Sequence, residues 1–509
     1  VSTLRALTRS ISWNYVQAGT SLGVAFLLTP IVVEHLGAVG FGIWVLLKAM
    51  LFYLGFLDLG FYNALVKYVA EYAEREDWPT VNGLIATTAS VLTAAGGAAL
   101  VLSGALAWLL VPHAFNVPAD RLAELQLATV LLGVDLLLVF PTSVLSAVFE
   151  GRQRFDVLSG VTITATIVLA IATVVGLELG YGLMALVGIE IAGTLLTALL
   201  YALFLRRLFP EVRLRLGPIG GPHLRRIRRY STWTSLNEIL AEGGAEVEKL
   251  LIPVLLSVSL LTPYTLICTV AAAIFLAVEP ITDTFFPLTS AYDATGDRVR
   301  LRALLVRGTK LVMAISLPLA VSVIAYGEDF LHAWIGDHHL TVPGGVLPLV
   351  VVSFTVTAFI LTGTTVLLAL AKVREVFWMG ITELALAVTL VLATVPAMGL
   401  TGLAGSLMLA NVLVTFLWIV PYLGRVLDQS VAEFLSRSLA LPLLAALPMA
   451  LFIAWLDRHA PGATLPWLVL KAGLAGCVYL AAFYVVALSS EERLLCHGSV
   501  RSILGSKTE

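Results

Sequence analysis

Charge is scarce in this chain, and the scarcity decides its class. Only 13% of the 509 residues are Asp, Glu, Lys or Arg, against about 25% in an average soluble domain. Hydrophobic residues make up 59%, and the mean hydropathy is +0.96. A soluble enzyme or a nucleic-acid binder, which needs a charged surface, is excluded. Cysteine is nearly absent too: Cys268, Cys477 and Cys496 form no CxxC or other metal spacing, so neither a disulfide framework nor a metal site is expected. Also missing are Walker A, HExxH and GxSxG motifs and any sizeable outer loop. That argues against an ATP-driven pump and against an enzyme, although a membrane glycan polymerase or ligase stays open as an alternative.

What is abundant is long apolar runs. Reading runs of about 20 residues as spans gives fourteen helices, an all-α polytopic membrane protein. Among them, helix two covers 40–72, helix seven 232–257, helix eight 262–288, helix eleven 376–398 and helix twelve 402–424. Nearly all of the 31 basic residues then fall on inner segments, densest from Arg206 to Arg229, and the outer loops hold only Arg121 and Arg458. The positive-inside bias therefore places both termini in the cytoplasm. Arg5 and Arg9 precede the first span with no small-residue cleavage site after it, so it reads as a retained helix rather than a signal peptide.

A shift of about 220 residues brings Trp13 onto Trp233, Tyr72 onto Tyr292, Arg154 onto Arg374 and Gly182-Leu183 onto Gly402-Leu403. Six helices per copy is an even number, so the copies are parallel repeats. The expected organisation is an N-lobe at 1–205, a basic inter-lobe segment at 206–231, a C-lobe at 232–428, and a C-terminal helix pair with a tail at 429–509. Two parallel six-helix lobes are a transporter architecture that works by alternating access. A monomer is expected.

Charges inside spans are the candidate functional groups, since each costs about 2.5–3.5 kcal/mol to place mid-membrane. Lys48, in the outer part of helix two, reads as a substrate contact or as a lysine snorkelling to the interface. Asp58 lies near the middle of the same span and reads as functional or as a pairing partner. Lys67 with Glu71, and Arg152 with Arg154, sit at the inner mouth. There they either gather an anionic headgroup or are plain interfacial charges. Glu238, Glu242 and Glu246 line one face of helix seven at i, i+4, i+8, and Lys249 is close enough to pair with Glu246. Glu279 and Asp283 share a face of helix eight, where Pro280 and Pro287 are expected to bend it. Asp135 and Glu190 are single acids in the first lobe. His338-His339 read as loop surface, and Arg206–Arg229 as an orienting segment that contacts anionic lipid.

The stretch Leu36–Asp77 carries Leu36-Gly37, Phe41-Gly42, Asp58-Leu59-Gly60-Phe61 and the run Val66 to Tyr72. In these elements it resembles the Wzx-type polysaccharide-biosynthesis flippases of the multidrug/oligosaccharidyl-lipid/polysaccharide exporter superfamily. The resemblance implies a carrier of polyprenyl-pyrophosphate-linked oligosaccharide at the cytoplasmic membrane, with a glycan polymerase and glycosyltransferases as pathway partners. Lys48, Asp58, Lys67, Arg152, Arg154 and Lys249 are then the candidate substrate contacts. Lipid II flippases of the superfamily hold a sodium site on helices seven, eleven and twelve. By helix position, Glu242 or Glu246 with Glu383 and Asn411 would be its counterpart here, and Glu279 with Asp283 are further coupling candidates. Na+ and H+ both stay open as the coupling ion. No other cofactor is expected. Within the superfamily, a drug/cation antiporter is the alternative.

Overall fold

The computed structural model describes residues 2–219, 224, 243–244, 246–336, 344–490 and 492–493. Among them every regular element is helical, as hydrocarbon demands of a backbone that must satisfy its own N–H and C=O groups. Among the described residues ten helices are long and apolar enough to cross a membrane. Two of these each hold a pair of spans: α1 (Ser2–Gly55) is broken at Gly37 and α14 (Val373–Val414) at Gly399. A bent pair adds one more span, α9 (Val258–Ala271) followed by α10 (Ala273–Asp283) and α11 (Phe285–Ala294), with an angle of 44°. The described part of helix seven, α8 (246–255), completes the fourteen.

Two spans differ from their expected form. Helix two is not continuous: a 3-10 turn at Phe56–Asp58, then Leu59 and Gly60 in the left-handed region, separate α1 from α2 (Phe61–Glu74). Helix eight bends at Ala272, and a second break at Thr284 lies between Pro280 and Pro287. Pro287 falls in the first turn of α11, where a missing N–H costs nothing.

By contacts the chain divides into two compact units, Val1–Thr262 and Pro263–Glu509. The first holds α1 and α2, then α3 (Trp78–Ala105), α4 (Val111–Ala114), α5 (Ala119–Gly151), α6 (Phe155–Glu178), α7 (Gly182–Leu208) and α8. Its core gathers Leu65, Val69, Leu84, Leu92, Leu136 and Phe149. Small residues let α3 and α5 approach: a Cβ at Gly96 would stand 2.9 Å from Leu137 Cα. The loop after α4 fastens α8 to this unit. Asn116 N–H donates to Pro253 O (2.8 Å), its side-chain amide to Val254 O (3.0 Å), and its own carbonyl accepts from Val258 N–H (3.2 Å).

The second unit packs α12 (Arg298–Ile335), α13 (Val346–Ala369) and α14 with α15 (Val420–Leu427), α16 (Val431–Leu435), α17 (Leu441–His459) and α18 (Leu465–Val486). The C-terminal pair is part of its core: Met449, Ile453, Ala475 and Tyr479 join Leu305, Phe359 and Val414. Tyr479 donates to Met313 O at 3.3 Å, and the buried Lys471 pairs with Asp457 at 3.1 Å.

One inner turn is built twice, about 220 residues apart. Asp77 N–H donates to Tyr72 O (3.0 Å) around Glu76 at φ 57°, and Asp297 N–H donates to Tyr292 O (2.9 Å) around Gly296 at φ 69°. Both are six-residue C-terminal caps. Each aspartate then opens the next helix, Asp77 accepting from Thr80 N–H (3.2 Å) and Asp297 from Arg300 N–H (3.0 Å).

Candidate functional site

Polar groups inside the spans gather at one locus in each unit. In the first unit, the second half of α1 is buried at Ile43, Val45, Leu46, Leu47, Ala49 and Met50, yet Lys48 between them is exposed. Its ammonium meets Glu190 Oε1 at 2.6 Å and lies over the Trp44 ring at 5.4 Å. One turn further along α7, Thr194 donates to Asp135 Oδ1 at 2.7 Å, and Asp135 is 3% exposed. Phe52, Tyr53 and Phe56 extend the α1 face as an edge-to-face aromatic group. An amine, two carboxylates and a hydroxyl thus share one membrane-embedded locus. A lysine held by a single carboxylate can exchange that partner for another anion.

Lys48 has no carboxylate within a turn on its own helix, because Glu190 comes from α7. The signal was depth. Lys48 lies roughly 16 Å along its span from Gly37 and Glu190 roughly 12 Å from Gly182, so two lone charges of opposite sign sit at matching levels.

Asp58 and the candidates expected at the inner mouth are held individually. Asp58 accepts from Tyr62 N–H at 3.1 Å and so starts α2 after the break. Lys67 lies over the Tyr68 ring at 5.2 Å, while Glu71 pairs with Arg75 (3.1 Å). The guanidinium of Arg152 stacks on Trp78 and Phe209, and its Nε is buried without a hydrogen-bond partner among the described residues. Arg154 grips Asp156 with two bonds, of 2.8 and 3.1 Å, and that carboxylate holds the guanidinium above its usual pKa.

Glu238 and Glu242 lie outside the described residues, as do His338 and His339. Glu246 is described and takes Lys249 Nζ at 2.5 Å; just before it, Gly243 O accepts from Tyr53 at 2.6 Å. These residues belong to the unit that ends at Thr262, whereas Glu383 and Asn411 belong to the other.

In the second unit Asn411, 7% exposed, donates from its amide to Glu383 Oε1 (3.1 Å) and to Thr357 Oγ1 (2.8 Å). Its own Oδ1 is buried with no partner among the described residues. Glu383 and Asn411 are therefore brought together as their helix positions suggested, and Thr357 on α13 joins them. A carboxylate and a hydroxyl thus converge on the Asn411 amide nitrogen, with the orphan Oδ1 beside them. Turning the amide over would instead aim Oδ1 at a protonated Glu383. Glu279 and Asp283 stand exposed on α10. Among the described residues no three His, Cys, Asp or Glu side chains group as a metal site.

Long apolar helices throughout the described residues define a multi-pass membrane protein. Solved structures share the fold. An inward-facing multidrug resistance MATE family transporter of the MOP superfamily matches with a TM-score of 0.63 at 14% identity, over 81% of this chain and 96% of its own. The MATE multidrug transporter DinF-BH gives 0.56 at 16%, over 82% and 93%. A mutant of the Vibrio cholerae MATE transporter VcmN gives 0.54 at 12%, over 85% and 99%. A search of curated proteins returns no match. The profile of the family described as polysaccharide biosynthesis protein matches residues 27–342. The chain belongs to that family.

Proposed function

We propose that this protein moves a polyprenyl-pyrophosphate-linked oligosaccharide from the cytoplasmic to the outer leaflet of the cytoplasmic membrane by alternating access, coupled to H+ or Na+. The observation that carries the reading is Lys48. It is a cation deep in a span, exposed on an otherwise buried stretch of helix; its direct ion-pair partner is Glu190, with the Asp135 carboxylate nearby. A pyrophosphate entering the site replaces Glu190 as the counter-ion, and the glycan finds Trp44 and the aromatic group beyond as stacking surfaces. A cationic drug would meet Lys48 as a repulsive charge, which disfavours the antiporter reading. The oxygen cluster at Glu383, Thr357 and Asn411 is the proposed seat of the coupling ion, with Glu279 and Asp283 as exposed acids of the same unit. Glycosyltransferases that build the glycolipid and a polymerase that consumes its glycan are the implied partners.

Transfer of a fluorescent polyprenyl-pyrophosphate oligosaccharide between the leaflets of proteoliposomes tests this. Lys48→Met should slow transfer by about a hundredfold, the loss of one charge-assisted contact of about 3 kcal/mol, and Lys48→Arg should retain part of it. Unchanged transfer in Lys48→Met, or uptake of a cationic dye with no glycolipid transfer, would overturn the proposal. Joining of glycan units without leaflet transfer would point to a polymerase.

A further inference from the structure

At the end of the first unit that the charge bias assigns to the cytoplasm, the start of α6 and the end of α7 flank a groove of about 510 Å³. Its walls are apolar along most of their length, with Val157 and Val161 of α6 against Leu200 and Phe204 of α7. Gly160 adds no side chain, and a Cβ there would meet open space, so the groove keeps its width at mid-length. Thr164, about 15 Å along α6 from Arg154, marks the far end. The charged groups of the lining stand together at the inner end: Arg154, Asp156 and Arg207. The lining comes from 154–164 and 200–208, and every residue of both stretches is described.

These charges are not equivalent. Arg154 holds Asp156 from Nε and Nη2, at 2.8 and 3.1 Å, which leaves its Nη1 to donate elsewhere. Arg207 stands exposed in the last turn of α7 and has no partner among the described residues. The N-terminus of α6 opens at the same mouth and adds the positive end of its helix dipole. Guanidinium groups present paired N–H donors that match two oxygens of a phosphate. Basic pockets between helices on the cytoplasmic side of a membrane hold anionic lipid headgroups in this way.

We propose that this groove binds one anionic phospholipid, with its phosphate diester on Arg207 and the remaining donors of Arg154. The glycerol and the upper part of an acyl chain lie along Val157, Val161, Leu200 and Phe204, a wall that a soluble phosphate would leave uncovered. A choline lipid would bring its own cation to the guanidinium groups and is disfavoured. Arg207 lies about 25 Å along α7 from Glu190, so this site is separate from the Lys48 locus and does not rest on the identity of the transported substrate.

The test uses the full chain in nanodiscs of phosphatidylcholine, with fluorescent phosphatidylglycerol as probe. The wild type should retain this probe in preference to a phosphatidylcholine probe. Arg207→Gln should bind it about tenfold more weakly, a loss of about 1.4 kcal/mol, and Arg207→Lys should recover part of it. Arg206→Gln removes the same charge one residue outside the lining and should leave retention unchanged. Gly160→Leu should weaken retention with Arg207 still in place, because the new side chain fills the groove; a helix interior accepts leucine better than glycine, so this variant folds. Equal losses in Arg206→Gln and Arg207→Gln would mean unspecific attraction to surface charge and would overturn the proposal. So would displacement of the probe by millimolar inorganic phosphate, equal retention of the phosphatidylcholine probe, or unchanged retention in both Arg207→Gln and Gly160→Leu.

Discussion

At the scale of single residues, the membrane interior makes each polar atom conspicuous. Asn411 shows this best: its amide is satisfied twice over, while its oxygen has nothing among the described residues. An unsatisfied buried acceptor costs about 1–3 kcal/mol, so its persistence argues for a ligand or proton that completes the set. If so, Glu383→Gln should leave the protein folded but make glycolipid transfer indifferent to an imposed Na+ or pH gradient. Measuring initial transfer rates with and without each gradient decides this, and a retained gradient dependence would remove Glu383 from the coupling path. Glu492 supports a pH prediction. Burial alone would raise its pKa, but the Ser489 N–H and Lys310 outweigh burial and hold it below the usual glutamate range. A depressed carboxylate contributes stability above its unfolded value of about 4.3 and loses it as pH falls through the folded value. Thermal unfolding should therefore be nearly flat above about pH 5 and fall at lower pH. Glu492→Gln should already be less stable at neutral pH, by about 3–5 kcal/mol, because Lys310 is left buried without its partner.

At the scale of elements, the glycines of the Leu36–Asp77 stretch acquire reasons. A Cβ at Gly42 would stand 2.1 Å from the backbone oxygen of Val258, so this residue sets how closely α1 meets the start of α9. Gly60 sits at φ 71°, the left-handed residue from which α2 starts after the break. Gly42→Ala should lower thermal stability by about 1–3 kcal/mol through backbone displacement. The surface Gly55→Ala, with open space at its Cβ, should change it by less than about 0.5 kcal/mol; equal melting of both variants would show that the close approach is unimportant. Helix existence was legible from hydropathy, since apolar length in lipid admits little else. The interruption at Phe56–Gly60 was not, because Leu59 and Gly60 differ from helix formers only through a backbone angle. The same holds for the bend at Ala272, which carries no residue that enforces it.

At the scale of the whole molecule, the fourteen helices and the family were readable from length, charge bias and motif, whereas the partners of the charged groups were not. Lys48 and Glu190, or Glu383 with Asn411 and Thr357, join helices far apart in sequence, and only packing reveals the pairing. The repeat of about 220 residues has a concrete local form in the twin turns at Tyr72–Asp77 and Tyr292–Asp297. Each of those turns needs only a few consecutive residues, so each closes as soon as its own helix pair leaves the ribosome. The bonds from Asn116 to Pro253 and Val254 cannot form that early. The first six helices enter the membrane with the seat for α8 still vacant, and the unit closes only when chain well beyond the basic segment has been synthesised. The first half of this protein is thus not a finished module that waits for the second: its last piece arrives after the point at which a simple count of six helices would have ended it.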